Sequence, residues 1–209
     1  MKNRKLVIWL VVVLVLPCFF VLQAHGADIE GSAAHSRIKR YEDAEIIKYQ
    51  YMEYAELLVP LGKAPHSKAL EGSKIVERAT TRLTYRIPLG RSPFEVVKNY
   101  EVELSAGGYH KLFGGRKEEQ DSSFAEAADY KEILWSPNIV ALTMNGDTQV
   151  FLSMEKQDSH SRMTVNVYAV ENRFWAANLS KKEGIKTGQT LLQVDISESD
   201  TIEMKMVVV

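Results

Sequence analysis

Val76-Glu-Arg-Ala-Thr80-Thr-Arg-Leu-Thr-Tyr85-Arg-Ile87, running directly into Pro88-Leu-Gly90-Arg91-Ser92-Pro93-Phe94-Glu95, decides the fold. In the first half Ala79, Leu83, Tyr85 and Ile87 fall on one side of an extended chain, and Arg78, Thr80, Arg82, Thr84 and Arg86 fall on the other. A period of two predicts a strand with one face in the core and one face in water. Pro88 and Gly90 stop the strand, and three signals then start a helix: Ser92 as N-cap, Pro93 in the first turn, and Glu95 at the third position to close a capping box. Val96, Val97, Tyr100 and Leu104 form one apolar stripe, and Gly107-Gly108 ends the helix with a left-handed cap, which predicts a helix over about Pro93–Ala106.

Working outward, Ile47, Tyr49 and Tyr51 alternate with Lys48 and Gln50 as a half-buried strand, and Leu57-Leu-Val-Pro60 extends it to a proline-marked edge. The Tyr49, Tyr51, Tyr54 group reads as core and sheet edge rather than a sugar-stacking platform. Tyr109–Phe113 predicts a short returning strand. Ser123-Phe-Ala-Glu126 repeats the capping-box spacing ahead of a second helix to about Trp135. Ile139–Met144 and Gln149–Glu155 flank Asn145-Gly146, which predicts a hairpin. Met163, Val165, Val167 and Ala169 alternate as the next strand, completing an antiparallel meander. A helical turn near Phe174-Trp175 and strands over Thr190–Ile196 and Thr201–Val209 follow. Strands and helices do not alternate regularly, so the expected class is α+β: a mainly antiparallel sheet with one well-defined helix and one or two shorter ones.

The first 27 of the 209 residues carry a basic start (Lys2, Arg4, Lys5), an apolar run Leu6–Leu22 and a small-residue exit at Ala24-His-Gly26-Ala27. This is the pattern of a secretory signal peptide cleaved after Gly26, with an uncleaved membrane anchor as the competing reading. Either way the body lies outside the cytoplasm. Cys18 lies within the leader, between Pro17 and Phe19, where a lipoprotein signal does not fit. The body therefore has no cysteine, which excludes disulfides, thiolate nucleophiles and cysteine-ligated zinc. The remaining 182 residues, from 28 to 209, suit a single domain. With the three leader cations gone, 23 Lys and Arg face 27 Asp and Glu, a formal charge of about −4 that gives no reason to expect nucleic-acid binding.

One trio has the order of a serine penicillin-recognising enzyme: Ser36-Arg-Ile-Lys39, Ser136-Pro-Asn138 and Lys186-Thr-Gly188. Its Ser-x-x-Lys, however, lies in a charged segment before a strand instead of opening a buried helix. The body histidines, His35, His66, His110 and His160, show no metal-pair spacing, and no metal or cofactor is expected. Lys74, Arg78, Arg82 and Arg86, with Arg91 beyond, form a basic stripe on the wet face of the strand. It reads either as a surface for an anionic partner or as cross-strand pairing with acidic neighbours. His35, Arg40 and Tyr41 in the irregular N-terminal segment complete the candidate binding residues.

Asp28-Ile-Glu-Gly-Ser32 with His35 and Arg40-Tyr41, then Leu70-Glu-Gly72, Thr84-Tyr85, Pro88-x-Gly90-Arg91-Ser92 and Asn99-Tyr100 resemble an uncharacterised bacterial envelope domain. Members often stand between a signal peptide and a C-terminal OmpA-like peptidoglycan-binding domain. The resemblance implies a Gram-negative periplasmic setting and no established activity. Ser36 and Glu42 stand where the family pattern has prolines, and the chain stops at Val209 where relatives often continue into the OmpA-like domain. The expectation is a secreted, non-enzymatic envelope protein with a binding or accessory role. Its partner is then an envelope protein or an anionic envelope component, with membrane contact only if the leader is retained. The alternatives are a serine acyl-transfer enzyme and a membrane-tethered structural subunit.

Overall fold

The computed structural model describes residues 28–63, 70–119, 140–159, 161–173 and 184–200. The elements in chain order are β1 (Glu45–Pro60), β2 (Ser73–Arg86), α1 (Pro93–Ala106), β3 (His110–Arg116), α2 (Val140–Met144), β4 (Val150–Gln157), β5 (Ser161–Glu171) and β6 (Thr190–Asp200). The strands form one sheet in the order β1-β2-β6-β5-β4-β3, with every neighbouring pair antiparallel. The last described strand in sequence is therefore inserted between β2 and β5.

That order makes β2 and β3 run in the same direction from opposite sides of the inserted strands, and α1 connects them. Four inter-strand steps of about 4.8 Å span about 19 Å, and the 14-residue helix is about 21 Å long. The helix thus bridges the gap in one pass, packing on β3, β4, β5 and β6. Ser92 caps it by accepting a hydrogen bond from the Glu95 amide at 3.2 Å. Glu95 does not close the capping box: its carboxylate accepts from the Tyr41 hydroxyl and from Arg91, both at 2.9 Å. Gly108, at φ 84°, supplies the left-handed exit into β3.

The sheet rows can be read directly from the register. On the face under α1 one row runs Tyr49, Leu83, Val194, Val167, Leu152, and the next Ile46, Tyr85, Leu192, Ala169, Val150. These residues join Val96, Val97, Tyr100 and Leu104 of α1 and Ile38, Tyr41 and Ala44 of the N-terminal segment in the main core. Here the alternation in Val76–Ile87 behaves as expected, and so do Met163, Val165, Val167 and Ala169 of β5.

The opposite face does not. The sheet coils strongly, and the far end of the β1–β2 hairpin turns over it: the Leu58 carbonyl accepts from Asn166 of β5 at 3.0 Å, and Lys74 reaches Glu155 of β4 at 2.8 Å. Leu57, Val59 and Val76 pack there with Leu112 of β3, so the two edge strands approach each other. Gly114 permits this edge of the sheet, since a Cβ would lie 2.7 Å from the Phe151 carbonyl oxygen. The face expected to be wet is therefore an inner, buried surface, with Thr80, Arg82 and Thr84 all withdrawn from solvent.

The expected Asn145-Gly146 hairpin is also corrected. Residues 140–144 form the short helix α2, and Gly146–Thr148 form a single 3₁₀ turn before β4. A type I′ turn needs positive φ at both central residues, whereas Asn145 has φ −109°. Its side chain is buried and cross-links the region, donating to the Ala141 carbonyl at 2.8 Å and accepting from the Arg173 amide at 3.0 Å. Leu142 meanwhile packs with Phe151, Tyr168, Val170 and Leu191 at one end of the inner face. The helix expected over 123–135, the turn near 174–175 and the strand over 201–209 lie outside the described residues, as do residues 1–27. Among the described residues no helix is long and apolar enough to cross a membrane.

Candidate functional site: a polar inner sheet face

Three successive cross-strand rows define the inner face. They are Met52, Thr80, Ser197, Thr164, Glu155; then Gln50, Arg82, Asp195, Asn166, Ser153; then Lys48, Thr84, Gln193, Tyr168, Phe151. Most of these side chains are polar, and nearly all those on β2, β4, β5 and β6 are buried. A buried polar group is costly unless it is hydrogen-bonded.

Part of the face satisfies that requirement internally. Arg82 donates to Asp195 at 2.6 Å, and Gln193 donates to the second oxygen of the same carboxylate at 3.0 Å. Glu155 accepts from Lys74 and from the Thr164 hydroxyl at 3.1 Å. Burial pushes the Glu155 carboxyl up, but Lys74, Thr164 and the nearby charge of Arg162 outweigh it and hold the group below the usual carboxylate range.

The rest is not satisfied. Among the described residues, seven buried side-chain atoms have no hydrogen-bond partner: Gln50 Oε1, Arg78 Nη1, Thr84 Oγ1, Ser153 Oγ, Asn166 Oδ1, Gln193 Oε1 and Ser197 Oγ. All seven belong to strand positions of the inner face. Folded proteins leave few such groups, and a cluster confined to one enclosed surface is the signature of a place that water, an ion or a ligand completes. The arrangement offers hydroxyls and amides as donors and acceptors, with an unpartnered Arg78 guanidinium nitrogen at its end.

The stripe residues are thereby sorted. Lys74 and Arg82 are ion-paired across the inner face. Arg86 pairs with Glu45 and donates to the Gly184 carbonyl, and Arg91 holds Glu95 one helical turn away. Only Arg78 has a guanidinium nitrogen that is both buried and unpartnered. Cross-strand pairing accounts for Arg82 and Arg86, a reach over the inner face to β4 for Lys74, and a helical-turn pair for Arg91.

The N-terminal residues His35, Arg40 and Tyr41 form a clasp on the other face. His35 meets Glu198 at 3.3 Å, with Arg37 on the second oxygen of that carboxylate. Arg40 pairs with Asp28 at 2.7 Å, and Asp28 accepts from the Ile46 amide at 2.8 Å. Burial pushes the Asp28 carboxyl up, yet that amide and Arg40 together keep it below its usual value. Tyr41 reaches Glu95, and its amide donates to the Tyr100 hydroxyl at 3.3 Å.

The Ser-x-x-Lys, Ser-x-Asn, Lys-Thr-Gly trio is not brought together. Lys39 is exposed and directed at Glu103, and Ser36 follows His35 at the Glu198 end of β6. Lys186-Thr-Gly188 turns into the other end of that strand, where Lys186 N donates to Gln189. Eight residues of strand separate the two ends, about 27 Å at the usual rise. Ser136 and Asn138 lie outside the described residues.

A separate groove of about 240 Å³ lies between α1 and β3, lined in part by Phe94, Lys98, Glu101, Lys111 and Arg116. Its charges are already matched: Lys98 and Lys111 both hold Glu101, at 2.8 and 3.1 Å, and Arg116 stacks 3.8 Å above the Phe94 ring. No three metal-ligating side chains cluster among the described residues. The polar inner face was not anticipated, although β6 carries its signal: Gln193, Asp195 and Ser197 alternate with Leu192, Val194 and Ile196, putting a lone acid opposite Arg82. No protein-family model matches the chain, and no curated protein is significantly similar to it.

Proposed function

We propose that this protein is a secreted, non-enzymatic binding protein of the bacterial envelope, and that its ligand is a small polar molecule held on the inner face of the sheet. The observation that carries the binding role is the set of seven unpartnered buried polar atoms on that one face. An interior selected for stability alone would fill these positions with apolar side chains or pair them with one another. The leader-like residues 1–27 and the resemblance to an envelope domain support the location. The non-enzymatic reading rests on the groups that face presents. Among the described residues they are amides, hydroxyls and mostly paired ions, and the one carboxylate that receives a hydroxyl there, Glu155 from Thr164, is also held by Lys74.

Native mass spectrometry on protein taken from the soluble periplasmic and the membrane fractions of the producing cell tests both parts. The reading predicts a soluble polypeptide beginning near Ala27 that carries a small-molecule adduct lost on denaturation. A full-length species confined to the membrane would replace the soluble protein with a tethered one. Soluble protein with no adduct under gentle conditions would remove the binding role.

A further inference from the structure

We infer an oxyanion site where β2 and β6 part, formed by the guanidinium groups of Arg78 and Arg162 with the Ser197 hydroxyl beside them. It would take the carboxylate or phosphate group of a small solute, and it rests on the inner face being a binding surface. Pairing between β2 and β6 ends at Ala79–Glu198, after which β2 continues to Ser73 paired only with β1. One step beyond that last pair, Arg78 comes level with Ser199, and Ser199 is opposite Arg162 on β5. Two arginines thus face one another across a splayed strand, and Ser197, one row further in, has its hydroxyl buried and unpartnered.

Among the described residues the carboxylates around this pair are already engaged. Glu155, the nearest carboxylate on the inner face, already accepts from Lys74 and Thr164. Glu77, next to Arg78 in sequence, belongs to the opposite side of β2 and takes the Tyr54 hydroxyl. Glu198 is held by His35 and Arg37. Among the described residues Arg162 donates to the neutral amide oxygen of Gln157, at 2.9 Å from Nε, and to no carboxylate. Arg78 has a sealed nitrogen with no partner among the described residues, and burial and the charge of Arg162 together outweigh the nearby Glu155 carboxylate in working against its protonated form. An oxyanion between the two guanidiniums neutralises the repulsion, supplies the missing acceptor, and matches the fork geometry that arginine offers to carboxylate and phosphate.

The test is thermal denaturation and calorimetric titration of the mature protein with sodium phosphate and with sodium acetate, each against sodium chloride at equal ionic strength. The wild type should show a saturable rise in Tm with at least one oxyanion, and the comparison of the two reads which class the site prefers. Arg78→Met and Arg162→Gln should each weaken that binding by about 10- to 100-fold, the loss expected for a charge-assisted hydrogen bond. Arg91→Gln, which touches only the exposed Glu95 pair, should leave it unchanged. Arg78→Met removes an unpaired cation and keeps the volume, so without oxyanion it should melt at or above the wild-type temperature. No oxyanion response in the wild type, or an equal response in Arg78→Met, overturns the site. If that happens while native mass spectrometry still shows a bound small molecule, the oxyanion site falls and the inner-face reading stands.

Discussion

The two faces of the same six strands are both largely buried, yet they are built from opposite chemistry. Under α1 the rows are Leu, Val, Ile, Ala and Tyr, and each side chain gains from leaving water. Across the sheet the middle rows of the same strands are Thr, Ser, Asn, Gln, Arg, Asp and Glu, set between an apolar cluster at either end, and each of these polar groups must recover by hydrogen bonding what it loses in hydration. The helix-covered face accounts for folding. The unpartnered polar groups of the inner face draw on that stability.

Substitutions can sharpen or break this contrast. The largest effect should come from Asp195→Ala, which removes the carboxylate that neutralises the buried Arg82 and should cost about 4 kcal/mol in denaturant unfolding. Replacing both partners, Arg82→Met with Asp195→Leu, should recover most of that loss. A double variant as unstable as the single one would mean the pair does hold the fold together. On the other face Leu192→Ala should cost about 3 kcal/mol by leaving a cavity under the helix.

A smaller effect is expected from pH. The Glu155 carboxyl is held below its ordinary value of 4.5 in the folded protein. Its contribution is therefore complete above that value and disappears as pH falls through the lower folded value. Glu155→Gln should flatten the acid limb of a stability-against-pH curve below the ordinary carboxylate value of 4.5, and an unchanged limb would argue that Lys74 and Glu155 are not coupled. The smallest effect belongs to Thr84→Val. It deletes a hydroxyl that has no partner, so stability should stay within about 0.5 kcal/mol of wild type or rise. A loss larger than about 1 kcal/mol in ligand-free protein would show that this hydroxyl is bonded and that the inner face is self-sufficient.

Much of the helix-covered half was legible in the sequence because its signals are local. Ser92-Pro93 capped the helix where expected, Val76–Ile87 and Met163–Ala169 showed their apolar side, and Gly107-Gly108 marked the exit into β3. The inner half was not, for a physical reason. Polar residues at every second strand position read the same whether they face water or an enclosed interior. Only the coiling of the sheet, which brings Leu58 onto Asn166, separates the two cases. The Arg82–Asp195 pair spans 113 residues of chain and depends on β6 entering between β2 and β5, a pairing no local pattern encodes. Asn145-Gly146 misled because a buried asparagine side chain can do the work of a cross-link as readily as that of a turn.

The central claim is that the inner face is completed by a bound polar solute. A high-resolution crystal structure of the protein, purified from its own cell without a denaturing step, tests it. The account predicts continuous non-solvent density over Ser153, Asn166 and Gln193, reaching Arg78. Contradiction would be an interior in which these atoms bond to one another or to water alone.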